Sequence, residues 1–237
     1  MYIYGKNVAR EKLKSGEEIL KIYLSQGFRD EEIMQLIHSR RIKFCFLDSK
    51  IMDKKVKGNH QGIILESPEV NTYSLDDLLK SVQDNNRALI VMLDHLEDPH
   101  NFGAIIRTSE ALGVDGIIIP NDRSVTVNST VVKTSAGAIS YMKIVRVANL
   151  NSTISKLKKH GFWIVGTDMD GVDYDKIDYC SKICLIIGNE GKGISDVVRK
   201  NCDFVASIPM TGKINSLNAS VSCGIVLSEI VLSRRRR

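Results

Sequence analysis

From Arg87 onward, short apolar runs alternate with helical segments along almost the whole remaining chain. Several runs, such as ALIVMLD at 88–94 before its final Asp94 and KICLIIG at 182–188 after its initial Lys182, are continuously apolar rather than apolar at every second residue. Continuous apolar runs are typical of strands that are buried on both faces of a parallel sheet. The predicted strands are ALIVMLD, DGIIIP, YMKIVRV, FWIVGTD, KICLIIG and DFVASIP. Helical segments separate most of them and a final helix follows, so the pattern predicts an α/β domain with helices on both sides of a largely parallel sheet.

Residues 1–70 follow a smaller pattern of their own. The predicted helices there are NVAREKLKSG and DEEIMQLIHSRRI, and the predicted strands are EILKIYLS, KFCFLD and QGIILES. The stretch that follows contains a short helix, which we expect the hydroxyl of Ser74 to cap. The sequence therefore predicts two domains, a small α/β domain at 1–70 and a larger parallel-sheet domain at 71–237.

Cysteine content and apolar run length limit the class of protein. The chain of 237 residues has five cysteines, an odd number, and their spacing is not that of a zinc site. Reduced thiols are expected, as in a cytoplasmic protein. The sequence has no run of about 18 apolar residues, which a membrane span would need. The start, MYIYGKNVAREKLKSG, does not have the order of a signal peptide.

Positive charge is concentrated at the two ends of the chain. The formal net charge is +5, and residues 1–70 hold 13 Lys and Arg against 10 Asp and Glu. The other basic group is the terminal run Arg234–Arg237, without which the second domain is net negative. Basic ends suit the binding of a polyanion, and they equally suit solubility alone. The charge pattern leaves both interpretations open.

Three polar segments follow predicted strands of the larger domain. They are DHLEDPHNFGAIIRT at 94–108, GNEGKGIS at 188–195 and GKINSLNAS at 212–220. In an open parallel sheet, ligands bind beside the carboxyl ends of the strands. The glycine-rich segment presents backbone N–H groups and permits close approach of a ligand, but it lacks the spacing of the triphosphate-binding loop. Together the three segments predict a ligand site at one edge of the sheet.

Individual side chains in these segments favour some kinds of site over others. His95 and His100 suggest a metal site, but no third ligand has suitable spacing, and no metal is predicted. Ser216 suggests a nucleophile, but the G-x-S-x-G turn is absent. Arg107 follows apolar residues, which favours a guanidinium held at a site, although a structural ion pair is the alternative. Glu190 would repel a phosphate and suits a cationic ligand or a hydroxyl donor.

Taken together, the segments resemble the motifs of a known family. DPHNFGAIIRTSEALG, GNEGKGIS and IPMTGKINSLNASVS have the order and spacing of three motifs of the SpoU (TrmH) branch of knotted RNA 2′-O-ribose methyltransferases. The resemblance runs from Ala88 to the final helix, and YGKNVAREKLKSG and HQGI resemble the small substrate-binding domain of the ribosomal-RNA subgroup. Phe102, Ala219 and Ser222 depart from the usual residues without loss of a polar functional group.

The resemblance implies a fold, a cofactor and a set of site residues. It implies a deep trefoil knot at the C-terminal end of the catalytic domain, a homodimer, and S-adenosylmethionine as the methyl donor. The family's cofactor contacts fall on Thr167, Gly188, Ile208 and Leu217. Its catalytic positions fall on Asn101, Arg107, Glu190, Ser216 and Asn218. The family account has Arg107 activate the 2′-hydroxyl, but a guanidinium stays protonated, so we expect it to bind phosphate and stabilise negative charge.

The resulting prediction is an RNA 2′-O-ribose methyltransferase that modifies a guanosine of large-subunit ribosomal RNA. The N-terminal domain would recruit RNA through Lys54, Lys55, Lys57 and their neighbours, and no DNA partner is expected. Within the class, a transfer-RNA guanosine methyltransferase and a relative that modifies adenosine are the alternatives. Outside it, the alternatives are a non-catalytic RNA-binding protein of the same fold and a nucleotide-hydrolysing enzyme.

Overall fold

The computed structural model of the protein describes residues 2–16, 18–67, 72–213 and 216–236. The chain divides into two units, one formed by Met1–Val70 with Val127–Gly137 and the other by Asn71–Thr126 with Ala138–Arg237. The predicted domain boundary after residue 70 falls among residues 68–71, which lie outside the described part of the chain, and it stays a prediction.

The first unit is built on a sheet with the strand order β1-β4-β2-β3. Its elements are β1 (Tyr2–Tyr4), α1 (Lys6–Lys14), β2 (Lys21–Ser25), α2 (Glu31–Ser39), β3 (Phe44–Leu47), α3 (Ser49–Lys55) and β4 (Ile63–Glu66). Strands β2 and β3 are parallel, whereas β4 is antiparallel to both β1 and β2. The sequence pattern does not predict α3, because the lysine-rich segment has no clear apolar periodicity. In the structure, Asp48 caps this helix and the side chain of Met52 is fully buried beneath it.

Lys55, one of the lysines predicted to recruit RNA, is engaged within this unit. Its ammonium lies 4.8 Å from the ring centroid of Tyr2 and 4.4 Å from that of Tyr23. It also donates a hydrogen bond to the hydroxyl of Tyr2 at 3.1 Å. A cation over aromatic faces is a stabilising contact, so Lys55 has a structural role that the sequence analysis does not anticipate.

The second unit is built on a parallel sheet with the strand order β11-β9-β10-β6-β7-β8-β5. Its elements are β5 (Thr72–Tyr73), α4 (Leu75–Ser81), β6 (Leu89–Leu93), α5 (Pro99–Ala111), β7 (Gly116–Pro120), β8 (Ile144–Val147), α7 (Leu150–Lys159), β9 (Phe162–Asp173), β10 (Lys182–Ile187), α8 (Asp196–Lys200), β11 (Phe204–Ser207) and α9 (Ala219–Arg235). Short 3-10 turns lie at Ala138–Ser140 and Tyr174–Lys176. The remaining helix, α6 (Ser129–Thr134), contacts β1 and clusters with the first unit, although the sequence pattern groups it with the larger domain.

Both faces of the parallel sheet are buried, as the continuous apolar runs predict. Alternate residues such as Ile90, Met92 and Ile186 pack with residues of α4, α7 and α8 in one core. The residues between them point to the other face, where α9 contacts both α5 and β10. The predicted cap of α4 is also confirmed, since the side chain of Ser74 accepts from the N–H of Asp77 in a reciprocal capping box.

The C-terminal end of α9 is fixed by the partly buried guanidinium of Arg234. Arg234 donates to the carbonyl oxygens of Tyr179, Arg87 and Ser181 at 2.8, 2.7 and 2.8 Å. Burial, and then the nearby charge of Arg87, lowers the pKa of the Arg234 guanidinium. The basic C-terminal run is therefore not one uniform binding tail, because Arg234 serves the fold.

Replacing Arg234 with alanine is expected to lower the free energy of unfolding by about 2–4 kcal/mol, because three carbonyls lose a charged donor. The matched control is Arg235→Ala, since Arg235 is exposed and its loss should cost less than about 0.5 kcal/mol. Urea denaturation followed by circular dichroism measures both changes. Equal unfolding midpoints for the two variants would contradict this role of Arg234.

Two further observations concern the whole described chain. The five cysteines are free thiols, and Cys184 and Cys223 are buried. Burial also raises the pKa of the Cys202 thiol to about 11, so this group is uncharged near neutral pH.

Within the described ranges, no helix combines the length and the apolar character that crossing a membrane requires.

Candidate active site

The candidate site lies where β6 and β10 end side by side. Ile187, the last residue of β10, is in register with Leu93, the last residue of β6. The N–H of Asp94 then donates to the carbonyl of Ile187 at 2.8 Å. Strands β7 and β8 lie on one side of this pair and β9 and β11 on the other. Ligands of parallel sheets bind where the strand order reverses in this way.

Asp94 fixes the second polar segment against the first. Its side chain is 1% exposed, and its Oδ2 accepts from the N–H and the hydroxyl of Ser195 at 2.7 and 2.8 Å. Its Oδ1 lies 2.6 Å from Nδ1 of His95. A buried carboxylate is costly unless donors surround it, and these contacts supply them. Asp94 is therefore a positioning residue, which the sequence analysis treats only as the end of a strand.

The glycine-rich segment forms a closed loop. Asn189 and Gly193 exchange two backbone hydrogen bonds of 3.0 and 2.9 Å, and the side-chain amide of Asn189 donates to the carbonyl of His95 at 3.0 Å. Gly188 lies against this loop, where a Cβ would be 2.1 Å from the carbonyl carbon of Gly193 and 2.3 Å from the nitrogen of Ile194. Only glycine fits at this position without movement of the backbone.

A cleft of about 370 Å³ opens beside this loop. Cofactor sites usually have about 300–1,000 Å³. The residues that line the cleft include the four predicted cofactor contacts and two predicted catalytic residues: Thr167, Gly188, Ile208, Leu217, Glu190 and Ser216. Met169 and Met210 add apolar surface, and they are 58% and 37% exposed. Ile214 and Asn215, in the third polar segment, lie outside the described residues.

One wall of the cleft is a bulge in β9. Gly166 pairs with Val205 of β11, and the next pair along the ladder is Val172 with Ala206. The segment 167–171 therefore bulges from the ladder between these pairs. Asp168 within it forms an ion pair with Arg199 of α8, which ties the bulge to the following helix. Sequence reasoning identifies Thr167 in this wall but not the ion pair, since no local pattern relates the two residues.

A chain of side-chain amides connects α9 to Glu190. Asn218 caps α9, and its Oδ1 accepts from the N–H of Ser220 at 2.9 Å and of Val221 at 3.4 Å. Its Nδ2 donates to Oδ1 of Asn101 at 2.8 Å, and Nδ2 of Asn101 donates to Oε1 of Glu190 at 2.6 Å. Each hydrogen bond in this chain points from the helix N-terminus toward the carboxylate. The chain therefore holds the carboxyl group of Glu190 against Asn101 through its Oε1.

Arg107 is separate from this group. It is exposed on α5, it does not line the cleft, and no ion pair or hydrogen bond links its guanidinium to the part of the chain that the structure describes. Asn101, six residues earlier, is buried. Ser216 lines the cleft but is likewise exposed. The structure thus joins Asn101, Glu190 and Asn218 directly, and it leaves Arg107 facing solvent.

The metal alternative gains no support from the described residues. Across residues 2–16, 18–67, 72–213 and 216–236, no three His, Cys, Asp or Glu side chains are grouped as ligands. His95 instead contacts the carboxylate of Asp94. Its carbonyl also accepts from Asn189, so it supports the glycine-rich loop.

Comparison with known proteins identifies the family. Residues 88–228 match the model of the SpoU rRNA Methylase family. Residues 2–73 match the model described as RNA 2′-O ribose methyltransferase substrate binding. The chain therefore belongs to the SpoU rRNA methylase family, and the predicted relationship is confirmed.

Relatives match over nearly the whole chain. YacO of Bacillus subtilis (strain 168) is 37% identical over 238 residues, which is 98% of this chain and 96% of the relative. A relative from Staphylococcus aureus (strain COL) is 38% identical over 237 residues, with the same two coverages of 98% and 96%. The names of both assign them to the TrmH family of tRNA/rRNA methyltransferases.

Solved structures share the fold. The AdoMet-bound rRNA methyltransferase from Sinorhizobium meliloti has a TM-score of 0.75 and 27% identity, and the match covers 99% of this chain and 87% of that one. The SpoU methyltransferase AviRb from Streptomyces viridochromogenes, in complex with AdoMet, has a TM-score of 0.80 at 24% identity, over 100% of this chain and 91% of that one. The predicted α/β class, with a small N-terminal domain and a parallel-sheet methyltransferase domain, is confirmed.

Proposed function

We propose that the protein is an S-adenosylmethionine-dependent RNA 2′-O-ribose methyltransferase that modifies a guanosine of large-subunit ribosomal RNA. Membership of the family supports RNA methyl transfer. The observation that carries the proposal to this site is that all four expected cofactor residues line one cleft beside the amide chain to Glu190. The sites of chemistry and of cofactor binding would then adjoin at the carboxyl ends of β6 and β10.

The residues of the cleft fit S-adenosylmethionine. Ile208 and Leu217 offer apolar surface to an adenine ring, and the backbone of the loop at 188–193 is close enough to hydrogen-bond a ligand. The position of Gly188, which would not admit a Cβ, keeps that backbone in place. Glu190 offers a negative charge to a cationic ligand. When bound, S-adenosylmethionine supplies an electrophilic methyl group to the ribose 2′-oxygen, and its methyl–sulfur bond breaks to leave the neutral thioether S-adenosylhomocysteine.

Glu190 is the proton acceptor in this proposal. Asn101 holds its Oε1, and within the described residues no side chain or backbone group donates to its Oε2. The hydroxyl proton becomes strongly acidic as the 2′-oxygen forms its bond to carbon, so a carboxylate is a sufficient base at that point. The O–H bond breaks, the proton moves to Oε2 and it is then released to water. Arg107 need not lose a proton.

Arg107 then binds the phosphate next to the target ribose. Its exposed position on α5 is open to RNA, and a planar guanidinium binds phosphate through two parallel hydrogen bonds. Ser216, which is exposed in the cleft, is a second group able to contact the ribose or its phosphate.

Replacing Arg107 with lysine is expected to lower kcat/KM by about 10-fold or more, because the charge is kept but the forked donor pair is lost. Arg123→Lys is the matched control, since Arg123 is also exposed and lies outside the cleft; its kcat/KM should stay within about twofold of wild type. Initial rates of methyl transfer, measured at RNA concentrations from below to above KM, give kcat/KM for both variants. Near-normal activity of the Arg107 variant would rule out a role for the guanidinium fork.

Ribosomal RNA is the proposed substrate, and transfer RNA is its main competitor. The match of residues 88–228 to the SpoU rRNA Methylase model supports a ribosomal substrate, and the Sinorhizobium meliloti structure carries the name of an rRNA methyltransferase. The preference for guanosine rests on the resemblance of the motifs alone. A panel of large-subunit ribosomal RNA fragments and total transfer RNA tests the choice. Methylation of transfer RNA without methylation of the fragments would overturn it.

We also propose a homodimer, a knot and a cytoplasmic location. On α9, Cys223 and Ile230 are buried, whereas Val221 and Leu232 are 47% and 42% exposed. Exposed apolar side chains on a helix are a surface that a partner can cover, and a second copy is the proposed cover. The knot is supported by the place of β10, which lies between β9 and β6. Five free thiols suit a reducing compartment.

A non-catalytic RNA-binding protein is the alternative from another class. Against it stands the connected group Asn101, Glu190 and Asn218, because RNA binding alone does not need an oriented carboxylate beside a cofactor-sized cleft. Cofactor binding without methyl transfer to any RNA would favour this alternative. A nucleotide-hydrolysing enzyme would need a phosphate site, which Glu190 in the loop opposes.

A further inference from the structure

We propose that the open edge of β3 is a second RNA contact surface and that it binds an unpaired nucleotide. The surface, named here the β3 edge, consists of His38, Arg41, Lys43, Phe44 and Phe46. Lys21 lies beside it, but its ammonium is engaged 5.3 Å from the ring centroid of Tyr23. The proposal rests on the proposed function, because it specifies which feature of an RNA substrate the first unit contacts. It is distinct from the lysines of α3, one of which, Lys55, is engaged with tyrosine rings.

The β3 edge carries an exposed aromatic ring on a fixed support. Phe44 packs against the core of the first unit, and the ring of His38 meets it edge-to-face with a centroid distance of 5.6 Å. The ring of Phe46 contacts Phe44 in the same manner at 5.9 Å. Phe46 is nevertheless 51% exposed, so its ring is held against Phe44 while part of the side chain stays open to a ligand. An exposed aromatic ring is a surface on which a base can stack.

Positive charge lies along the same edge, beside the Phe44 ring that Phe46 contacts. A shallow depression at the same edge is lined by Lys21, His38, Arg41 and Lys43, and no acidic residue lines it. Within the described chain, no carboxylate pairs with the side chain of Arg41 or Lys43. The neighbouring Arg40 differs, since its guanidinium donates to the carbonyls of Lys12 and Leu13. The free cations and the bound one are therefore distinguished by the structure.

Cations at the end of a helix also stabilise the helix dipole, and that role accounts for His38 in the last turn of α2. It does not account for Lys43 beside β3 or for an exposed phenyl ring at a sheet edge. Exposed aromatic rings beside cations are the arrangement that binds single-stranded nucleic acid, since bases stack on the rings and phosphates pair with the cations. The bases of a duplex are already stacked, so an unpaired nucleotide fits best.

The test measures binding of the full-length protein to two probes, a fluorescein-labelled single-stranded RNA of 12 nucleotides and the duplex of the same sequence. Phe46→Ala should raise the Kd for the single strand by about 5- to 150-fold, the usual worth of one stacked base, with little change for the duplex. Ile51→Ala is the matched control, because Ile51 is a similarly exposed apolar residue, at 48%, on α3.

The charge component has its own test. The double variant Arg41→Gln with Lys43→Gln should reduce the slope of log K against log salt for the single strand by about 1.4, since each phosphate contact contributes about 0.7. Lys159→Gln with Lys200→Gln removes two exposed lysines of the second unit and should leave the slope unchanged. Phe46→Ala should also leave the slope unchanged.

Several results would overturn this inference. One is wild-type affinity of both β3-edge variants for the single strand, and another is equal loss for single strand and duplex in Phe46→Ala. A third is conversion of a dimer into a monomer by Phe46→Ala in sedimentation, which would make the edge a protein contact. Methyl transfer is measured separately. Its absence from wild type, with edge-dependent RNA binding intact, would contradict the proposed enzyme and leave this inference standing.

Discussion

A Gly188→Ala variant is expected to bind S-adenosylmethionine at least about 100-fold more weakly than wild type, a loss near 3 kcal/mol of binding free energy. The added Cβ would lie 2.1 Å from the carbonyl carbon of Gly193 and 2.4 Å from its oxygen. These are backbone atoms, so no side-chain rotation relieves the overlap. The loop must move as a whole, and the cleft that it borders must change shape.

The loop has little freedom to absorb that movement. Asn189 and Gly193 are joined by two backbone hydrogen bonds, and Ser195 donates its N–H and its hydroxyl to the carboxylate of the buried Asp94. Displacement therefore breaks contacts at both ends of the segment, and we expect lower thermal stability together with weaker cofactor binding.

Gly224→Ala in α9 is the matched control, because Gly224 does not line the cleft. A Cβ there meets its nearest neighbour, Cγ2 of Thr108, at 3.7 Å, which is an ordinary contact. Its Kd should stay within about threefold of wild type. Isothermal titration with S-adenosylmethionine and thermal unfolding of the three proteins decide the matter. Wild-type affinity of Gly188→Ala would mean that this loop does not border the cofactor site.

Replacing Glu190 with glutamine is expected to lower turnover by about 10²- to 10⁴-fold, the usual contribution of a positioned proton acceptor. Glutamine has nearly the shape of glutamate and keeps an oxygen that accepts from Asn101, but it cannot take up the hydroxyl proton. The Kd for S-adenosylmethionine should change far less than turnover. Glu110→Gln, an exposed position on α5, should retain wild-type turnover.

Chemical rescue separates proton transfer from a structural role of Glu190. In Glu190→Ala, added formate should restore part of the lost turnover, because a small carboxylate can occupy the space of the missing one. A purely structural defect would not respond to formate. Turnover of Glu190→Gln above about half of the wild-type value would contradict the role assigned here.

The parallel sheet was predictable because the burial of its strands on both faces requires runs of consecutive apolar residues, which can be recognised locally in the sequence. Strand β6 is apolar at every position, and β10 is apolar after Lys182; that pattern distinguishes a sheet covered on both faces from one with a solvated face. The cap of α4 was equally local, since Ser74 and Asp77 are three residues apart. Strand β5 was missed because its two residues are too few for a periodic signal.

The grouping of the cofactor residues was more predictable from the sequence than the arrangement of the catalytic residues. The cofactor positions follow strands whose ends must meet at one sheet edge, so topology alone brings them together. Asn101 and Arg107 lie six residues apart on one helix, and that separation turns them to different faces. The motif therefore names both residues, but only the structure shows that one is buried beside Glu190 and the other is exposed.

Contacts between distant residues were beyond the reach of the sequence. The carbonyls that bind Arg234 belong to residues 55 and 147 positions away. The ion pair of Asp168 with Arg199 depends on the bulge in β9, and no pattern in the sequence predicts that bulge. The lysines of α3 read alike in sequence, yet the tyrosine rings of β1 and β2 engage Lys55. Such pairings follow from packing, which a single sequence does not encode locally.

The most direct measurement uses RNA from cells that lack this protein. The RNA is incubated with purified protein and S-adenosylmethionine carrying a labelled methyl group, and the labelled nucleotide is mapped by digestion and mass spectrometry. The proposed function predicts label in a 2′-O-methylguanosine of large-subunit ribosomal RNA, absent when Glu190→Gln is used. Label on a base, or none on any RNA while the cofactor is bound, would contradict the proposed ribose methylation.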